Sequence, residues 1–229
     1  MTKDMSTEEQ SQVEEVICED GKVYLSPCQI RCPLGIDIQR NHAMIALLPF
    51  DPEEAARQMI EIGNEVYEQS PLFPLLCAYI CGLCEQECNY KDETGTVRRR
   101  MLMRLVAKEY VKYLETVPSL PAPTKERIAV IGGGPGGLMC AYILSKKGYR
   151  VTILERNPKL GGAMCLIPAY RLPQDIIDSV INNLLRIAHI EVKLGAEVGD
   201  KGQTLDDLKK TGYRAVFIAT GTPTPRPLT

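Results

Sequence analysis

The spacing of apolar positions predicts that the first half of the chain is largely helical. Residues 51–69 carry apolar side chains at helical intervals, namely Ala55, Met59, Ile62 and Val66. An aspartate and a proline open this stretch and two glutamates follow, which is the composition of a helix start. The sequence therefore predicts a helix over residues 51–69.

A second helix is predicted over residues 97–114, with Leu102, Leu105 and Val106 on one apolar stripe. The same helix carries a basic run of four residues, Arg98, Arg99, Arg100 and Arg104. A solvated face is the first interpretation of such a run. The alternatives are a docking surface, or cations placed near an anionic cluster.

The second half of the chain follows a strand–helix–strand pattern. Residues 128–131 are an apolar run that leads into a glycine-rich loop, and a helical stretch continues to Ser145. After a glycine turn, residues 150–154 predict a second strand, and residues 215–219 a later one. The expected fold class is therefore α + α/β, with a helical domain followed by a partial Rossmann-like domain.

A proline-rich segment separates the two halves. Residues 117–127 contain three prolines within six positions, so they cannot continue a helix and predict an extended linker. We place the domain boundary near residue 122. The predicted domains are a helical one over residues 1–121 and a dinucleotide-binding one over residues 122–229, which looks incomplete.

Composition narrows the functional classes. The chain has 229 residues, is 45% hydrophobic and has a formal net charge of −2, so it offers no electrostatic basis for binding nucleic acid or an anionic membrane. It contains no apolar run long enough to span a bilayer. The first twelve residues are polar and acidic, unlike a secretory signal, and a cytoplasmic protein is expected.

The chain is unusually rich in cysteine. It has nine cysteines against two histidines, and seven of the cysteines precede Asn89. In a reducing compartment such clustering indicates metal or redox chemistry rather than disulfides. The candidate ligands are Cys18, Cys28, Cys32, Cys77, Cys81, Cys84 and Cys88. Cys140 and Cys165 are expected to be packed thiols without a ligand, and His42 and His189 to be packed or solvated.

The short spacings between these cysteines favour an iron–sulfur cluster over zinc. Either an iron–sulfur cluster or a zinc ion can bind to a thiolate-rich site with almost no histidine, but zinc knuckles usually contain two CxxC pairs. Only Cys81 and Cys84 form a CxxC here. The proline directly after Cys32 also resembles the end of a cluster-binding motif.

The glycine loop has the form of a dinucleotide fingerprint. Gly132, Gly134 and Gly137 follow the first predicted strand as GxGxxG and open a helix. These glycines would permit the tight turn, the approach of a pyrophosphate and close helix–strand packing, in that order. Glu155 ends the next strand and could accept a hydrogen bond from a ribose hydroxyl; the alternative is a solvated acid at a strand end.

Two cysteine-bearing stretches, PCQIRCPLGIDIQ and LLCAYICGLCEQECN, resemble the N-terminal iron–sulfur domain of the glutamate synthase small-subunit family. Dihydropyrimidine dehydrogenase and a bifurcating transhydrogenase carry the same type of domain. The family's domain is helical and typically holds two 4Fe–4S clusters. The resemblance assigns Cys28 and Cys88 to one cluster, and Cys32, Cys81 and Cys84 to the other.

This chain departs from the family pattern in its ligand count. Two clusters need eight ligands, and the predicted domain has seven cysteines. The family usually has a further CxxC just upstream, where this chain has only Cys18. In some relatives a glutamine or glutamate completes the other cluster, and Met103 aligns with it, so Cys77 could substitute. One cluster is expected, and two remain plausible.

The region after the second strand resembles the FAD-binding half of the same family. The stretch ERNPKLGGAMCLIPAYRLP places a glycine pair after the acid, and a later ATG motif resembles the one that closes the first part of the FAD domain. The resemblance therefore implies FAD as the dinucleotide. The residues implied to bind it are Gly132, Gly134, Pro135, Gly136, Gly137, Glu155, Arg156, Gly161, Gly162, Thr220 and Gly221.

In the family the chain continues into a second, NAD(P)-binding domain and then completes the FAD domain, and neither part is found in this sequence. We expect either a fragment or a small subunit that a partner completes. The predicted function is an iron–sulfur flavoprotein subunit, rather than a complete enzyme, that relays electrons between NAD(P)H-linked FAD and a partner. Expected partners are other subunits of a redox complex, including an NAD(P)H-binding or ferredoxin-like polypeptide. The alternatives are a docking or assembly subunit with a structural cluster, and a zinc-stabilised NAD-binding module.

Overall fold

The computed structural model describes residues 25–199 and 202–222. The first part of the described chain is helical. Its helices are α1 (Pro27–Arg31), α2 (Ile38–Ala46), α3 (Pro52–Gln69), α4 (Phe73–Leu75), a π-helix (Leu76–Ile80), α5 (Leu83–Gln86) and α6 (Arg99–Leu114). Among the helices of the described ranges, none has both the length and the apolar character to cross a membrane.

Helix α3 forms where its sequence predicts. The Asp51 side chain caps its start by accepting hydrogen bonds from the backbone N–H groups of Glu53 and Glu54, at 3.1 and 2.9 Å. The predicted face is buried, with Ile62 and Val66 fully shielded from solvent. At Gly63 an added Cβ would collide with the Tyr110 ring, so α3 and α6 pack in close contact.

Helix α6 is also present, but its predicted apolar stripe is wrong in part. Leu105 is 45% exposed, whereas the buried face consists of Arg99, Met103, Val106, Ala107, Tyr110 and Leu114. This face is turned toward α3, α4 and the π-helix. The sequence alone gave no means of choosing between two neighbouring stripes on an amphipathic helix.

The second part is a Rossmann-like unit around a parallel sheet. Its strands are β1 (Arg127–Ile131), β2 (Arg150–Glu155), β3 (Glu191–Leu194) and β4 (Tyr213–Ile218), and they lie in the order β3-β2-β1-β4. Every neighbouring pair is parallel. The other elements are α7 (Pro135–Lys146), a short 3-10 helix (Gly162–Leu166), α8 (Gln174–Ala188) and α9 (Leu205–Lys210).

Helix α8 is the largest element that the sequence analysis did not predict. One side of it is apolar and buried, through Ile177, Val180, Ile181, Leu184 and Ile187. It packs with α7 against the sheet residues Val130, Val151 and Ile153. The helix ends at His189, which has a left-handed backbone conformation with φ of 51°.

The hydrophobic core continues across the proline-rich segment. Leu72 and Leu75 of the helical part lie in one cluster with Val130 of the sheet, and Ile187 of α8 joins the cluster of the helical part. Residues 117–126 contain no helix or strand, as predicted. They are nevertheless tied down, because the Leu120 N–H donates to the Ile187 carbonyl at 2.7 Å. The helical and Rossmann-like parts therefore share buried surface.

Candidate functional site

The glycine loop between β1 and α7 adopts a conformation that excludes side chains. Gly132 has φ of 103°, and a Cβ there would meet the carbonyl oxygen of Ala219. A Cβ on Gly137 would collide with the carbonyl oxygen of Gly132. The loop can therefore turn sharply from the end of β1 into α7, and the N-terminus of α7 opens toward solvent.

A second glycine pair crosses this loop. Gly162 has φ of 52°, and a Cβ there would lie 2.8 Å from the Cα of Gly134. Its neighbour Gly161 has φ of 113° and donates its N–H to the carbonyl of Gly133 at 2.8 Å. Two backbone segments thus pass in direct contact, and no side chain stands between them and the start of α7.

Glu155 holds the glycine loop in place through hydrogen bonds. Its side chain is buried, and one carboxylate oxygen accepts the N–H of Gly133 at 2.7 Å. The other oxygen accepts the backbone N–H and the side-chain amide of Asn157, both at 2.8 Å. The alternative of a solvated acid is therefore wrong. A carboxylate has further acceptor sites, so Glu155 can hold the loop and still accept a ligand hydroxyl.

These segments surround a cavity of about 1000 Å³, which we name the loop cavity. It is open at the carboxyl edge of the sheet, where parallel α/β proteins bind ligands. All but two of the predicted cofactor residues line it, namely Gly132, Gly134, Pro135, Gly136, Glu155, Arg156, Gly162, Thr220 and Gly221. The remaining two, Gly137 and Gly161, are buried beneath the lining. The volume lies at the upper end of the range for small-molecule sites.

Sequence analysis missed part of this lining. The additional residues include Asn157, Ala163, Leu166, Ala196, Glu197, Val198 and Phe217. Several follow or end strands β3 and β4, whose carboxyl ends reach the same edge of the sheet as β1. Prediction of β3 would have identified residues 196–198, because they come directly after that strand.

The cysteines of the helical part come together at a second site. Burial raises the pKa of the Cys77 thiol to about 12, the charge of Arg99 opposes this, and the nearby thiols of Cys81, Cys32 and Cys84 raise it further. Burial likewise raises the pKa of the Cys84 thiol to about 11, again opposed by the charge of Arg99, and Cys81, Glu85 and Cys32 raise it further. Cys32, Cys77, Cys81 and Cys84 therefore lie near one another, and we call them the four-thiol group.

Local structure explains this grouping. Cys77 lies in the π-helix, which closes through the Cys81 N–H donating to the Leu76 carbonyl at 2.7 Å. Single-turn π segments are frequent at functional sites. Helix α1 packs against α5, which brings the Cys32 end of the segment to Cys84. Two stretches that are distant in sequence thus contribute thiols to one place.

A smaller cavity of about 100 Å³, the Cys88 cavity, adjoins this group. It is lined by Cys28, Cys84 and Cys88, together with His42 and Arg99. The Cys88 sulfur accepts the N–H of Val97 at 3.5 Å, and the Cys28 sulfur lies 3.1 Å from the Ser26 hydroxyl. Both sulfurs are therefore held in place by hydrogen bonds. Cys18 lies outside the described residues.

Arg99 is buried beside these thiols and is only 3% exposed. Its Nη2 donates to the side chain of Asn41 at 2.9 Å, and its Nη1 is buried with no hydrogen-bond partner among the described residues. Burial lowers its pKa, whereas the surrounding thiols, Cys77 first, raise it. The interpretation of the basic run as a solvated face is therefore wrong for this residue.

Two other arginines of the run also face the cysteine segment. Arg100 pairs with the Glu85 carboxylate at 3.1 Å, and Arg104 donates to the Ala78 carbonyl at 2.8 Å. Of the four arginines, Arg98 and Arg104 are exposed, Arg100 is half-buried and Arg99 is buried. The arrangement fits the alternative in which cations lie near an anionic cluster.

Within residues 25–199 and 202–222, no three His, Cys, Asp or Glu side chains are grouped tightly enough to hold a metal ion. The four-thiol group is therefore a neighbourhood of thiols rather than a formed metal site.

Cys140 and Cys165, which are expected to be packed thiols, are both half-buried. Cys140 contacts the core beside the sheet, and the Cys165 thiol donates to the Leu160 carbonyl at 3.3 Å. Met103 is fully buried in the helical core. His189 bonds the Leu120 carbonyl at 2.8 Å through Nε2. His42 differs from His189, because its Nε2 is buried without a hydrogen-bond partner among the described residues.

Comparison with known proteins agrees with the motifs. Residues 130–184 match the NAD(P)-binding Rossmann-like domain family. The chain is 31% identical to the NADPH-Fe(3+) oxidoreductase subunit beta of Geobacter sulfurreducens, over 90% of this chain and 29% of that protein. It is 31% identical to the Escherichia coli oxidoreductase AegA, over 86% of this chain and 29% of that protein.

A third relative is itself a glutamate synthase small chain, the type of protein that the motifs resemble. The chain is 33% identical to the small chain of NADPH glutamate synthase from Escherichia coli, over 69% of this chain and 34% of that protein. The chain spans about a third of the length of these relatives. Two of the three are named as a subunit or chain of an NADPH-dependent oxidoreductase. Over most of its length the chain is thus homologous to part of the glutamate synthase small chain and of related oxidoreductases, in agreement with the resemblance that its motifs carry.

Proposed function

We propose that this chain is the electron-transfer part of an NAD(P)H-dependent oxidoreductase. It binds FAD in the loop cavity and a 4Fe–4S cluster at the four-thiol group, and it relays electrons between NAD(P)H-linked FAD and a partner. The observation that carries the proposal is that one short chain combines a dinucleotide-type cavity with a thiol group packed against a buried guanidinium. Two relatives that are named as parts of NADPH-dependent oxidoreductases support the same proposal.

The loop cavity fits FAD. The crossing of Gly134 and Gly162 leaves no Cβ in front of the α7 N-terminus, so backbone N–H groups and the positive end of the helix dipole can bind a pyrophosphate. Glu155 can orient a ribose by accepting its hydroxyl hydrogen. Bound FAD would supply hydride acceptance and single-electron release. The surrounding residues bind and orient the cofactor.

The four-thiol group fits an anionic cluster. Thiols with raised pKa values are costly to ionise unless positive charge is near, and Arg99 supplies that charge from a buried position. The Nη1 of Arg99 has no partner among the described residues, so a donor remains free to hydrogen-bond a sulfur. A bound cluster would carry one electron at a time. Arg99 would balance its charge and exclude water from it.

A docking or assembly role is the second candidate, and one surface favours it. Strand β4 lies at an edge of the sheet, where Phe217 is 43% and Ile218 is 61% exposed. Unpaired edges with apolar side chains are sites at which another chain can pair. In this alternative a cluster would be structural, and the loop cavity would hold no flavin.

The deciding experiment is the visible spectrum of the anaerobically purified chain with its natural partners, before and after addition of NADPH or NADH. A flavin band above a broad cluster band, both bleaching on addition, is the expected result. Gly162→Ala should remove the flavin band alone, and Cys81→Ser should remove the cluster band alone. A cluster band without flavin would favour the docking role, and the absence of both chromophores would overturn the proposal.

A further inference from the structure

A cavity of about 780 Å³ opens at the surface between the helical part and the loop that precedes α8, and we call it the basic cavity. The charged residues that line it are Glu85, Lys91, Arg98, Arg100 and Arg171. Four of these five residues are cations, whereas the whole chain has a formal net charge of −2. The basic cavity therefore concentrates positive charge against the overall balance of the chain.

The one carboxylate of this lining is already paired. Glu85 accepts hydrogen bonds from the backbone N–H and the guanidinium of Arg100, at 2.7 and 3.1 Å. The other three cations, Lys91, Arg98 and Arg171, are exposed and have no ion pair among the described residues. These three side chains can therefore pair with carboxylates or other anions that come from outside.

Hydrogen bonds hold the turn that carries Lys91. The Tyr90 carbonyl accepts the N–H groups of residues 93–95, at 3.0 to 3.2 Å. Asp92 and Glu93 are next to Lys91 in the sequence, but neither of them lines the basic cavity. The turn thus has a defined shape, and its lysine contributes to the cavity wall without its acidic neighbours.

Arg98 and Arg100 lie at the start of α6, where cations are electrostatically unfavourable. The N-terminus of a helix carries the positive end of the dipole, and the first turn of α6 contains no acidic residue. Glu85 offsets the charge of Arg100 from the neighbouring helix α5. Arg98 has no such partner among the described residues, so an anion bound in the basic cavity would relieve this repulsion.

The lining favours a protein segment over a small molecule as the occupant. Small-molecule sites are lined mostly by apolar and aromatic side chains, with a few polar groups among them. Among the described residues that line the basic cavity, Ile80 is the one large apolar side chain, and none is aromatic. Exposed charges of one sign are typical of protein contacts, where charge complementarity selects the partner and speeds association.

The position of the basic cavity suits a partner in electron transfer. Gly82 and Glu85 line the cavity, and they directly follow Cys81 and Cys84 of the four-thiol group in the chain. A protein docked at the basic cavity would therefore lie beside these thiols.

We propose that the basic cavity docks an acidic segment of the partner subunit, whose carboxylates pair with Lys91, Arg98 and Arg171. The inference rests on the proposed function, because that function requires a partner. A guanidinium can bind a carboxylate through two parallel hydrogen bonds, so the arginines would fix the orientation of the segment as well as attract it.

The affinity of the chain for its purified natural partner tests this pairing by calorimetric titration. A triple variant, with Lys91→Gln, Arg98→Gln and Arg171→Gln, should bind about tenfold more weakly at low ionic strength, because each exposed pair contributes modestly. The difference should shrink at about 0.5 M salt. The matched control replaces three exposed lysines outside the cavity by glutamine and should retain the affinity, namely Lys108, Lys146 and Lys147.

Crosslinking without a spacer identifies the occupant. A carbodiimide joins a carboxylate to an amine that it touches, and Lys91 is the one lysine among the described residues that line the basic cavity. In the complex, mass spectrometry should find Lys91 joined to an aspartate or glutamate of the partner. Lys91→Arg should lose this crosslink and retain the affinity, because the amine is gone and the charge remains.

Three results would overturn the docking proposal. They are an unchanged affinity in the triple variant, a crosslink from Lys91 to the acidic residues 1–24 of this chain, and tighter binding of pyrophosphate than of the partner at these cations. The visible spectrum of the same samples separates this proposal from the proposed function. Absence of both chromophores overturns the function, whereas a weakened triple variant with a Lys91 crosslink would still support the docking surface.

Discussion

The two sites differ in how completely the protein chain prepares them. Around the loop cavity, glycines remove side chains from the crossing, and both carboxylate oxygens of Glu155 accept hydrogen bonds that hold the loop. At the cysteine site, Arg99 and His42 each keep a buried nitrogen without a partner among the described residues. The loop cavity is thus preorganised by backbone geometry, whereas the cysteine site leaves two buried nitrogens that a bound group could satisfy.

This difference indicates at which of the two sites a bound ligand would add more to the free energy of unfolding. A preformed cavity gains little structure when it is filled, and its shape depends on a few positions that tolerate no Cβ. A site with buried charge and unpaired donors is stabilised by its ligand in proportion to what the ligand satisfies.

The largest effect is expected from Arg99→Met. In the iron-loaded protein the variant should lose about 3–5 kcal/mol in the free energy of unfolding, because buried thiolates lose their countercharge. In the iron-depleted protein the same change should leave the stability unchanged or raise it, because an unpaired buried donor disappears. Chemical unfolding followed by circular dichroism and iron release measures both values.

The control for this contrast is Arg98→Met, which removes an exposed cation one position away. It should change the stability of either form by less than about 0.5 kcal/mol. Equal losses in the loaded and depleted forms of Arg99→Met would show that Arg99 serves packing alone.

Substitutions at two adjacent glycines test how closely the glycine loop is packed. Gly137→Ala should destabilise the protein by about 1–3 kcal/mol, because the new methyl collides with the backbone oxygen of Gly132. Gly136→Ala meets nothing within 4 Å and should stay within about 0.5 kcal/mol of the wild type. Urea unfolding of both variants gives the comparison. A similar loss in the two would contradict the packing role assigned to Gly137.

Glu155→Gln should have a smaller effect on stability, about 1–2 kcal/mol, because an amide cannot accept all the bonds from Gly133 and Asn157 that the carboxylate accepts. The affinity for FAD should fall about tenfold, measured by flavin release. Glu197→Gln is the matched control, since Glu197 is exposed on the same cavity wall. An unchanged affinity in Glu155→Gln would remove Glu155 from the binding set.

The smallest effect is expected at alkaline pH, and it concerns the contact between the helical part and the Rossmann-like part. Tyr67 of α3 stacks edge-on against Tyr142 of α7, with ring centroids 5.7 Å apart. Burial first, and the neighbouring Tyr142 second, raise the pKa of Tyr67 above its ordinary value of 10.0. The raised folded-state pKa leaves stability intact below pH 10 and reduces it as the pH rises further.

Tyr67→Phe should therefore flatten the loss of stability above pH 10 while leaving the stability near pH 7 unchanged. Tyr170→Phe, at a ring that is 91% exposed, should keep the wild-type slope. The melting temperature across pH 8–11 gives the readout. A wild-type slope in Tyr67→Phe would assign the alkaline loss to other groups, such as the buried thiols.

The Rossmann-like part could be predicted well because its signals are local. The glycines, the strand period and the acid at the end of β2 each report a nearby backbone requirement. Helix α8 was not predicted although it is amphipathic, because it carries no motif and its signal lies only in the periodicity of residues 174–188. The lining of the loop cavity after β3 was missed for the same reason.

The sequence predicted which cysteines come together at the cysteine site, but not which other side chains surround them. Short spacings identified the thiols, but the burial of Arg99 depends on Asn41 of α2, which lies 58 residues earlier in the chain. Nothing in the local pattern of an arginine run reports such a contact. His42 was expected to be packed or solvated. Its buried nitrogen, which has no hydrogen-bond partner among the described residues, becomes visible only when α1, α2 and α5 are placed together.

The origin of the four-thiol group in two distant stretches has a consequence for biosynthesis. Cys84 follows Cys32 by 52 residues, with helices α2 and α3 between them. At a translation rate of about 5–20 residues per second, the later thiols leave the ribosome roughly 3–10 s after the first. The nascent chain therefore exposes Cys32 before its partners exist, and any machinery that delivers iron and sulfide must act after this interval.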